Sequence, residues 1–203
     1  GAAGLVPSRI EEAIKTIQKA LPQGPYAFNL IHSPVEDAIE KAAVELFIKY
    51  NVKTVEASAF LDLTPHIVQY RACGLTSNQN DDIQVTNRVI AKISRTEVAE
   101  KFMRPAPERI LVKLLREGRI TQSQATLATR VPMADDITVE ADSGGHTDNR
   151  PLVALLPSIL SLRDQIQAEE NYLQPIRVGA GGGISTPTSA LAAFMMGAGY
   201  VVT

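Results

Sequence analysis

The chain lacks most of the features that mark secreted, membrane-spanning or nucleic-acid-binding proteins. Its single cysteine, Cys73, cannot form an internal disulfide, which is typical of a protein from the reducing cytoplasm. Tryptophan is absent and aromatic residues make up 5% of the sequence, which argues against a stacking platform for single-stranded nucleic acid. The formal net charge of -2 gives no electrostatic reason to bind nucleic acid or an anionic membrane. Apolar runs are too short to cross a bilayer and no secretory signal is recognisable, so we expect a cytoplasmic protein with neither kind of partner.

The composition and the order of the residues indicate one α/β domain. Of the 203 residues, 45% are hydrophobic and 21% are charged, which is the composition of a globular protein. Short β-rich runs alternate with stretches of helical period. The six predicted strands are residues 26–32, 54–59, 88–93, 136–141, 176–179 and 199–203. Because parallel neighbours need a crossover that is usually helical, this alternation predicts a parallel sheet.

Charged residues inside three predicted strands distinguish the two common parallel architectures. An open sheet covered on both faces should be nearly continuous in valine, isoleucine and leucine, whereas Glu56, Lys92 and Glu140 lie in mid-strand. A (β/α)8 TIM barrel has one face that converges on a site at its carboxyl-terminal mouth, where polar side chains have a use. Six strands are fewer than a barrel needs, so we expect residues 1–203 to be a single TIM-barrel domain truncated at both ends. The alternative is a smaller, complete α/β domain.

Local signals predict where helices begin and where the chain departs from the barrel pattern. Three capping boxes are predicted, formed by Ser33 with Glu36, Ser94 with Glu97, and Thr121 with Gln124. Pro34 would be the first residue of the first of these helices. A helical insertion over residues 105–131 is longer than one crossover requires, and it is interpreted as an enlarged outer helix or, alternatively, as a lid or docking surface. The polar segment 76–87 is predicted to be an exposed loop.

A glycine-rich segment follows the fifth predicted strand and leads into a helix start at Thr186 and Pro187. Its glycines are Gly179, Gly181, Gly182 and Gly183. Glycines let the backbone approach a ligand closely, and amides at a helix N-terminus favour a phosphate. The dinucleotide pattern G-x-G-x-x-G fails because Ile184 stands at its sixth position. The segment therefore predicts a phosphate site of the kind that follows a late barrel strand, with a simple tight turn as the alternative.

A second segment, residues 140–151, places His146 just after Gly144 and Gly145 at the exit of the fourth predicted strand. A histidine in a loop at this mouth titrates near neutral pH and can act as an acid or a base, although many loop histidines are simply solvated. His32 is expected near the same mouth. His66 is expected on the surface of a helix.

Strand parity makes a further prediction about the three mid-strand charges. Side chains alternate between the two faces of a strand, and the strands that carry Glu56, Lys92 and Glu140 are successive. If these strands are neighbours in the barrel, both carboxylates flank Lys92 on the lumen side, because a lone buried charge would be costly. The alternative is that one or both glutamates point into the helix layer and meet solvent or an arginine.

These motifs together resemble the flavin-dependent enoyl reductases of polyunsaturated fatty acid synthases and trans-acyltransferase polyketide synthases, the PfaD family, which is related to nitronate monooxygenase-like FMN barrels. The wider superfamily shares an acidic-x-Gly-Gly-His pattern, here Asp142 to His146. The added residues 147–151 point to the enoyl reductase branch. Gly181 departs from the family pattern, which usually has an alanine before Gly-Gly-Ile. The matching stretches are residues 1–5, 29–34, 55–60, 87–92, 133–151 and 176–203.

The resemblance implies a cofactor, a reaction and a set of site residues. FMN would lie at the barrel mouth, and hydride would pass from NADPH through the flavin to the β-carbon of an enoyl thioester on acyl carrier protein. His146 and Lys92 would be catalytic, and no metal is expected. The residues near FMN would be Asn29, Lys92, Gly144, Gly145, Gly181, Gly182 and Gly183. Asp148, Asn149 and Arg150 would bind substrate.

Two other functions remain open at this point. The same barrel could oxidise nitronates with oxygen, because in that reaction the same histidine would abstract an α-proton. A function of another class is a non-catalytic barrel that docks acyl carrier protein or a synthase partner. In the leading interpretation, acyl carrier protein and other synthase components are the partners.

Overall fold

The structure is a computed structural model that describes residues 4–142 and 147–203. Residues 1–3 and 143–146 lie outside the described residues, and with them the predicted site residues Gly144, Gly145 and His146. In chain order, the elements are α1 (Pro7–Ala20), β1 (Phe28–Ile31), α2 (Asp37–Lys49), β2 (Thr54–Ser58), α3 (Pro65–Cys73), β3 (Leu75–Ser77), β4 (Ile83–Val85), β5 (Arg88–Ile93), α4 (Thr96–Met103), α5 (Glu108–Arg116), α6 (Gln122–Ala128), β6 (Asp136–Glu140), α7 (Leu152–Glu170), β7 (Arg177–Gly181), α8 (Pro187–Met195) and β8 (Val201–Val202).

Six strands form one parallel sheet in the order β1-β2-β5-β6-β7-β8. The order follows the chain, because β3 and β4 pair with each other in a separate antiparallel hairpin. Successive strands that pair in parallel, with helices between them, are the pattern of a (β/α)8 barrel. The predicted α/β class and the parallel sheet of about six strands are therefore confirmed.

The two faces of this sheet differ in chemistry. On one face, alternate residues of the central strands are apolar and buried, namely Val55, Ala57, Val89, Ala91, Ile137, Val139, Val178 and Ala180. Helices α4 and α7 pack on this side of β5, β6 and β7. The residues in between point to the other face, which carries the polar side chains. The helices thus cover one face and leave the polar face for the inside of the barrel.

Two of the three predicted capping boxes are wrong. Helix α2 begins at Asp37, and residues 33–36 form a turn in which the Glu36 amide donates to the Ser33 carbonyl oxygen. Helix α4 begins at Thr96, and the Ser94 hydroxyl donates to Asp148 instead of capping. The box between Thr121 and Gln124 is present with both of its hydrogen bonds.

The prediction of an exposed loop over residues 76–87 is also wrong in part. The segment contains β4 and most of β3, and the hairpin is held at its turn by Asn78, whose side-chain oxygen accepts from the amides of Asn80 and Asp82. The predicted insertion 105–131 contains α5 and α6, which pack on α3. In the described part of the chain no helix is both long and apolar enough to cross a membrane.

Candidate active site at the carboxyl end of the sheet

The polar face of the sheet brings three charged side chains together. Lys92 Nζ lies 3.3 Å from Glu56 Oε1 and 3.6 Å from Glu140 Oε1. This follows from the strand order, because β5 lies between β2 and β6 and all three side chains point to the same face. The prediction from strand parity is confirmed, and neither glutamate points into the helix layer.

Asn29 stands one strand further along the same face. Asn29 pairs in register with Glu56. Its side-chain amide donates to the Ser58 hydroxyl and, at 3.5 Å, to the Glu56 carbonyl oxygen. These bonds fix the amide plane and leave Asn29 Oδ1 without a hydrogen-bond partner among the described residues. An acceptor is therefore available beside the Lys92 cluster.

On the other side of the Lys92, Glu56 and Glu140 cluster, β7 carries two glycines, Gly179 and Gly181, that differ in the space around them. The ring of Tyr200 lies against Gly179 so closely that any Cβ at this position would overlap it. Tyr200 also shares a hydrogen bond of 2.8 Å with Thr138, and burial raises the pKa of its hydroxyl. Gly181, which pairs with Glu140, leaves more room, because an added Cβ would lie 3.1 Å from Thr138 Cγ2.

The glycine loop predicted to hold phosphate begins at the carboxyl end of β7. Gly182 and Gly183 have φ angles of 88° and 69°, a left-handed conformation that favours glycine. Helix α8 starts just beyond, with Thr186 and Ser189 forming a capping box. The loop thus lies at the same end of the sheet as Lys92.

The segment that follows residues 143–146 is tied back to the ends of β5 and β6. Arg95 donates from Nε and from Nη2 to the two carboxylate oxygens of Asp148, both at 2.7 Å, and Ser94 adds a bond of 2.9 Å. These contacts hold the pKa of Asp148 below its usual range, and the hydrogen bond from Arg95 has the largest effect. Thr147 donates to the Glu140 carbonyl oxygen at 3.2 Å. Asn149, with a φ of 57°, and Arg150 are exposed.

The side chain of Lys92 lines a cavity of about 300 Å³ between the loops that follow β2, β5 and β6. One wall is apolar and includes Phe60 and Leu61; the other carries Arg95 and Asp148. A larger cavity of about 940 Å³ lies at the opposite end of the sheet, where Arg88, Asp136 and Arg177 begin their strands. We locate the candidate site at the smaller cavity, because catalysis in barrels occurs at the carboxyl end.

The two histidines within the described residues behave differently from each other. His32 follows β1 at this end, and its Nδ1 lies 2.8 Å from Oε2 of the buried Glu40, while its ring packs on Phe60 at 5.2 Å between centroids. His66 was expected on the surface, and this is wrong: it is 4% exposed. Its two ring nitrogens contact Asp37 and Arg119, because α3 is enclosed by α2, α5 and α6.

Sequence reasoning missed two side-chain contacts at this end of the sheet. The His32–Glu40 pair and the Arg95–Asp148 pair join residues that no local pattern connects. Arg95 does follow a strand closely, as active-site residues of barrels often do, and this was the one available signal. No cluster of three or more potential metal ligands occurs within residues 4–142 and 147–203.

Comparison with known proteins gives relatives along the whole chain, although no protein-family model matches it. It is 56% identical over 205 residues to a polyunsaturated fatty acid synthase polypeptide of Thraustochytrium sp., of which the match covers 14%. It is 50% identical over 204 residues to the polyketide biosynthesis protein PksE of Bacillus subtilis, of which the match covers 27%. The chain thus spans well under a third of the length of these curated relatives.

Solved structures also resemble this chain along nearly its whole length. The enoyl reductase domain of MlnA, from the macrolactin biosynthesis cluster of Bacillus amyloliquefaciens, is 38% identical with a TM-score of 0.92, and the match covers 99% of this chain and 46% of that one. A mutant of FabK from Thermotoga maritima is 19% identical with a TM-score of 0.63, over 99% of this chain and 50% of that one. The second likeness supports the fold alone.

Proposed function

Because this chain is homologous to segments of polyunsaturated fatty acid and polyketide synthases and to an enoyl reductase domain, we propose that it forms part of an FMN-dependent enoyl reductase. The substrate is an enoyl thioester carried by acyl carrier protein, and NADPH is the hydride donor. Acyl carrier protein and other synthase components are then its partners.

The observation that carries this proposal is the environment of Lys92. Its ammonium lies between Glu56 and Glu140 on the polar face of a parallel sheet, at the end where barrel enzymes bind their ligands. A cation in this position suits a cofactor that takes up negative charge. The Lys92 side chain also lines a cavity, which a purely structural ion pair does not require.

The residues present fit FMN in two ways. Gly182 and Gly183 adopt left-handed φ angles and carry no side chain that could block a phosphate, and they precede the amino end of α8. Lys92 offers a cationic donor and Asn29 an amide acceptor for the ring system. When bound, FMN would accept hydride from NADPH and deliver it to the β-carbon of the enoyl thioester.

The residues of the chain would divide the remaining work. Lys92 would donate a charge-assisted hydrogen bond to the anionic part of the flavin ring, and Asn29 would accept from a ring N–H. His146, which lies outside the described residues, would donate the proton that the α-carbon requires or polarise the thioester carbonyl. Gly144, Gly145 and Gly181 would keep side chains away from the ring.

An anaerobic experiment on the complete protein tests this function. The protein is mixed with NADPH while flavin absorbance is recorded, and a crotonyl thioester is then added. We expect bleaching on NADPH and recovery on the thioester. Indifference to NADPH, combined with oxygen uptake on a nitronate in a parallel aerobic assay, would indicate an oxidase instead. Absence of bound flavin would indicate a docking domain.

The His146→Ala variant separates the two half-reactions. We expect enoyl reduction to fall by about 10²–10⁴, the usual contribution of general acid catalysis, while reduction of the flavin by NADPH keeps its rate. Equal losses in both steps would instead give His146 a role in flavin binding.

A further inference from the structure

The carboxylate of Asp148 accepts three hydrogen bonds from the loop after β5. Both of its oxygens accept from Arg95 at 2.7 Å, and Oδ2 also accepts from Ser94 at 2.9 Å. We propose that Arg95 is a positioning residue that, together with Ser94, holds Asp148 and thereby fixes residues 147–150 beside the cavity that Lys92 enters. This inference rests on the proposed function for its kinetic consequence only.

The geometry favours a clamp over direct binding of substrate by Asp148. A bidentate contact between a guanidinium and a carboxylate consists of two parallel charge-assisted hydrogen bonds, which are strong and geometrically specific. The hydroxyl of Ser94 donates to a further lone pair of Asp148. An anionic side chain whose two oxygens are paired in this way has little left to offer a ligand. A substrate that used Asp148 would have to break these bonds.

A second contact ties the same segment to β6. Thr147 donates to the Glu140 carbonyl oxygen at 3.2 Å and accepts from the Asn149 amide at 3.3 Å. The side chain of Glu140 is paired with Lys92. The ends of β5 and β6 are therefore cross-linked twice, once inside the sheet by Lys92 and Glu140 and once above it by Arg95 and Asp148.

The clamp matters because it forms a wall of the cavity of about 300 Å³. Ser94, Arg95, Thr147 and Asp148 line its polar side, opposite Phe60 and Leu61. If the clamp is released, residues 147–150 must be ordered again whenever a ligand binds, and the cost of this ordering weakens binding. The proposal therefore predicts a loss in the affinity for the enoyl thioester and none in the reduction of flavin by NADPH.

The test is a double-mutant cycle in the complete protein with Arg95→Met, Asp148→Asn and both together. Each single variant should raise KM for a crotonyl thioester about tenfold, the worth of a hydrogen bond to a charged group, and the double variant should raise it no further. Arg95→Lys, which keeps the charge but not the fork, should recover part of the loss. Lys113→Gln, which removes an exposed ion pair with Glu117 on α5, is the matched control and should change nothing.

Direct binding of substrate by Asp148 would give a different result. Asp148→Asn would then raise KM whereas Arg95→Met would not, or the two effects would add. Either outcome overturns the proposal.

A second measurement does not depend on activity. Amide hydrogen exchange of Asn149, whose amide donates to the Thr147 hydroxyl, should accelerate to the same extent in Arg95→Met and Asp148→Asn and should not change in Lys113→Gln. If the wild-type protein reduces no enoyl thioester, the proposed function fails, and equal acceleration of exchange still supports the clamp. Unchanged exchange in both clamp variants would refute it.

Discussion

Lys92 is held in place by two carboxylates that differ in their exposure to solvent. Glu56 is nearer, at 3.3 Å, but its side chain is 35% exposed, whereas Glu140 lies at 3.6 Å and is 8% exposed. Screening by water weakens the attraction between Lys92 and Glu56 by more than the 0.3 Å shorter distance strengthens it. Glu140 therefore contributes more to the position of the ammonium than its longer distance suggests.

This asymmetry gives a prediction for individual variants. If Lys92 contacts the flavin, Glu140→Gln should weaken FMN binding by the complete protein and slow its reduction by NADPH, and Glu56→Gln should do so to a smaller extent. Titration with FMN, followed by fluorescence quenching, measures the affinities. Glu45→Gln, which removes an exposed carboxylate paired with Lys41 on α2, is the control. Equal affinities in all four proteins would show that the two glutamates do not position Lys92 for the flavin.

Threonine hydroxyls cap three helices of this protein, whereas a serine before a fourth helix does not. Thr64, Thr121 and Thr186 accept from the amide three residues ahead and begin α3, α6 and α8. Ser94 stands in a comparable sequence but bonds to Asp148, which is 54 residues away. A bond to a carboxylate does not by itself prevent capping, because the Thr64 hydroxyl donates to Glu40 and still accepts from the Ile67 amide. At α4 the residue before the first helical turn is Arg95, so the Ser94 hydroxyl is not at the cap position.

The capping box of α6 can be tested by substitution. Thr121→Ala removes the acceptor for the Gln124 amide and should lower the free energy of unfolding by about 1 kcal/mol. Thr121→Ser keeps the hydroxyl and should retain most of the stability. Urea unfolding of the three proteins, followed by circular dichroism, gives the difference. Equal losses in both variants would show that packing of the threonine methyl, and not the hydrogen bond, carries the effect.

The molecule as a whole is held across its layers by Arg71. This residue on α3 is 1% exposed, yet its guanidinium donates to the carbonyl oxygens of Pro132 and Asn87 and to Asp135. It thus joins a helix to the segments that lead into β5 and β6. A buried cation that is paired in this way is costly to remove, because each of its partners loses a hydrogen bond to a charged donor.

Replacement of Arg71 should therefore destabilise the entire domain. We expect Arg71→Met, which keeps much of the volume, to cost about 3–5 kcal/mol of unfolding free energy, since three acceptors lose their donor. Arg71→Lys keeps the charge but cannot reach all three acceptors, and it should recover part of the loss. Denaturant unfolding measures both. A change below about 1 kcal/mol in Arg71→Met would mean that water replaces the guanidinium.

The order of the strands and the Lys92 cluster were predictable because both follow from short periods in the sequence. A strand alternates its side chains every two residues, so mid-strand charges reveal the polar face, and successive parallel strands bring those charges together. The glycine loop after β7 was predictable for a similar reason, since left-handed φ angles favour glycine. None of these features needs knowledge of distant contacts.

The tertiary structure alone decided the remaining features. His66 is buried because three helices close around α3, the hairpin of β3 and β4 forms where polarity suggested a loop, and Ser94 donates to Asp148 while Arg95 precedes the first residue of α4. In each case the energy of a residue depends on a partner that local sequence patterns do not reveal. Those patterns determine what a residue prefers, but the packing of layers decides which preference is realised.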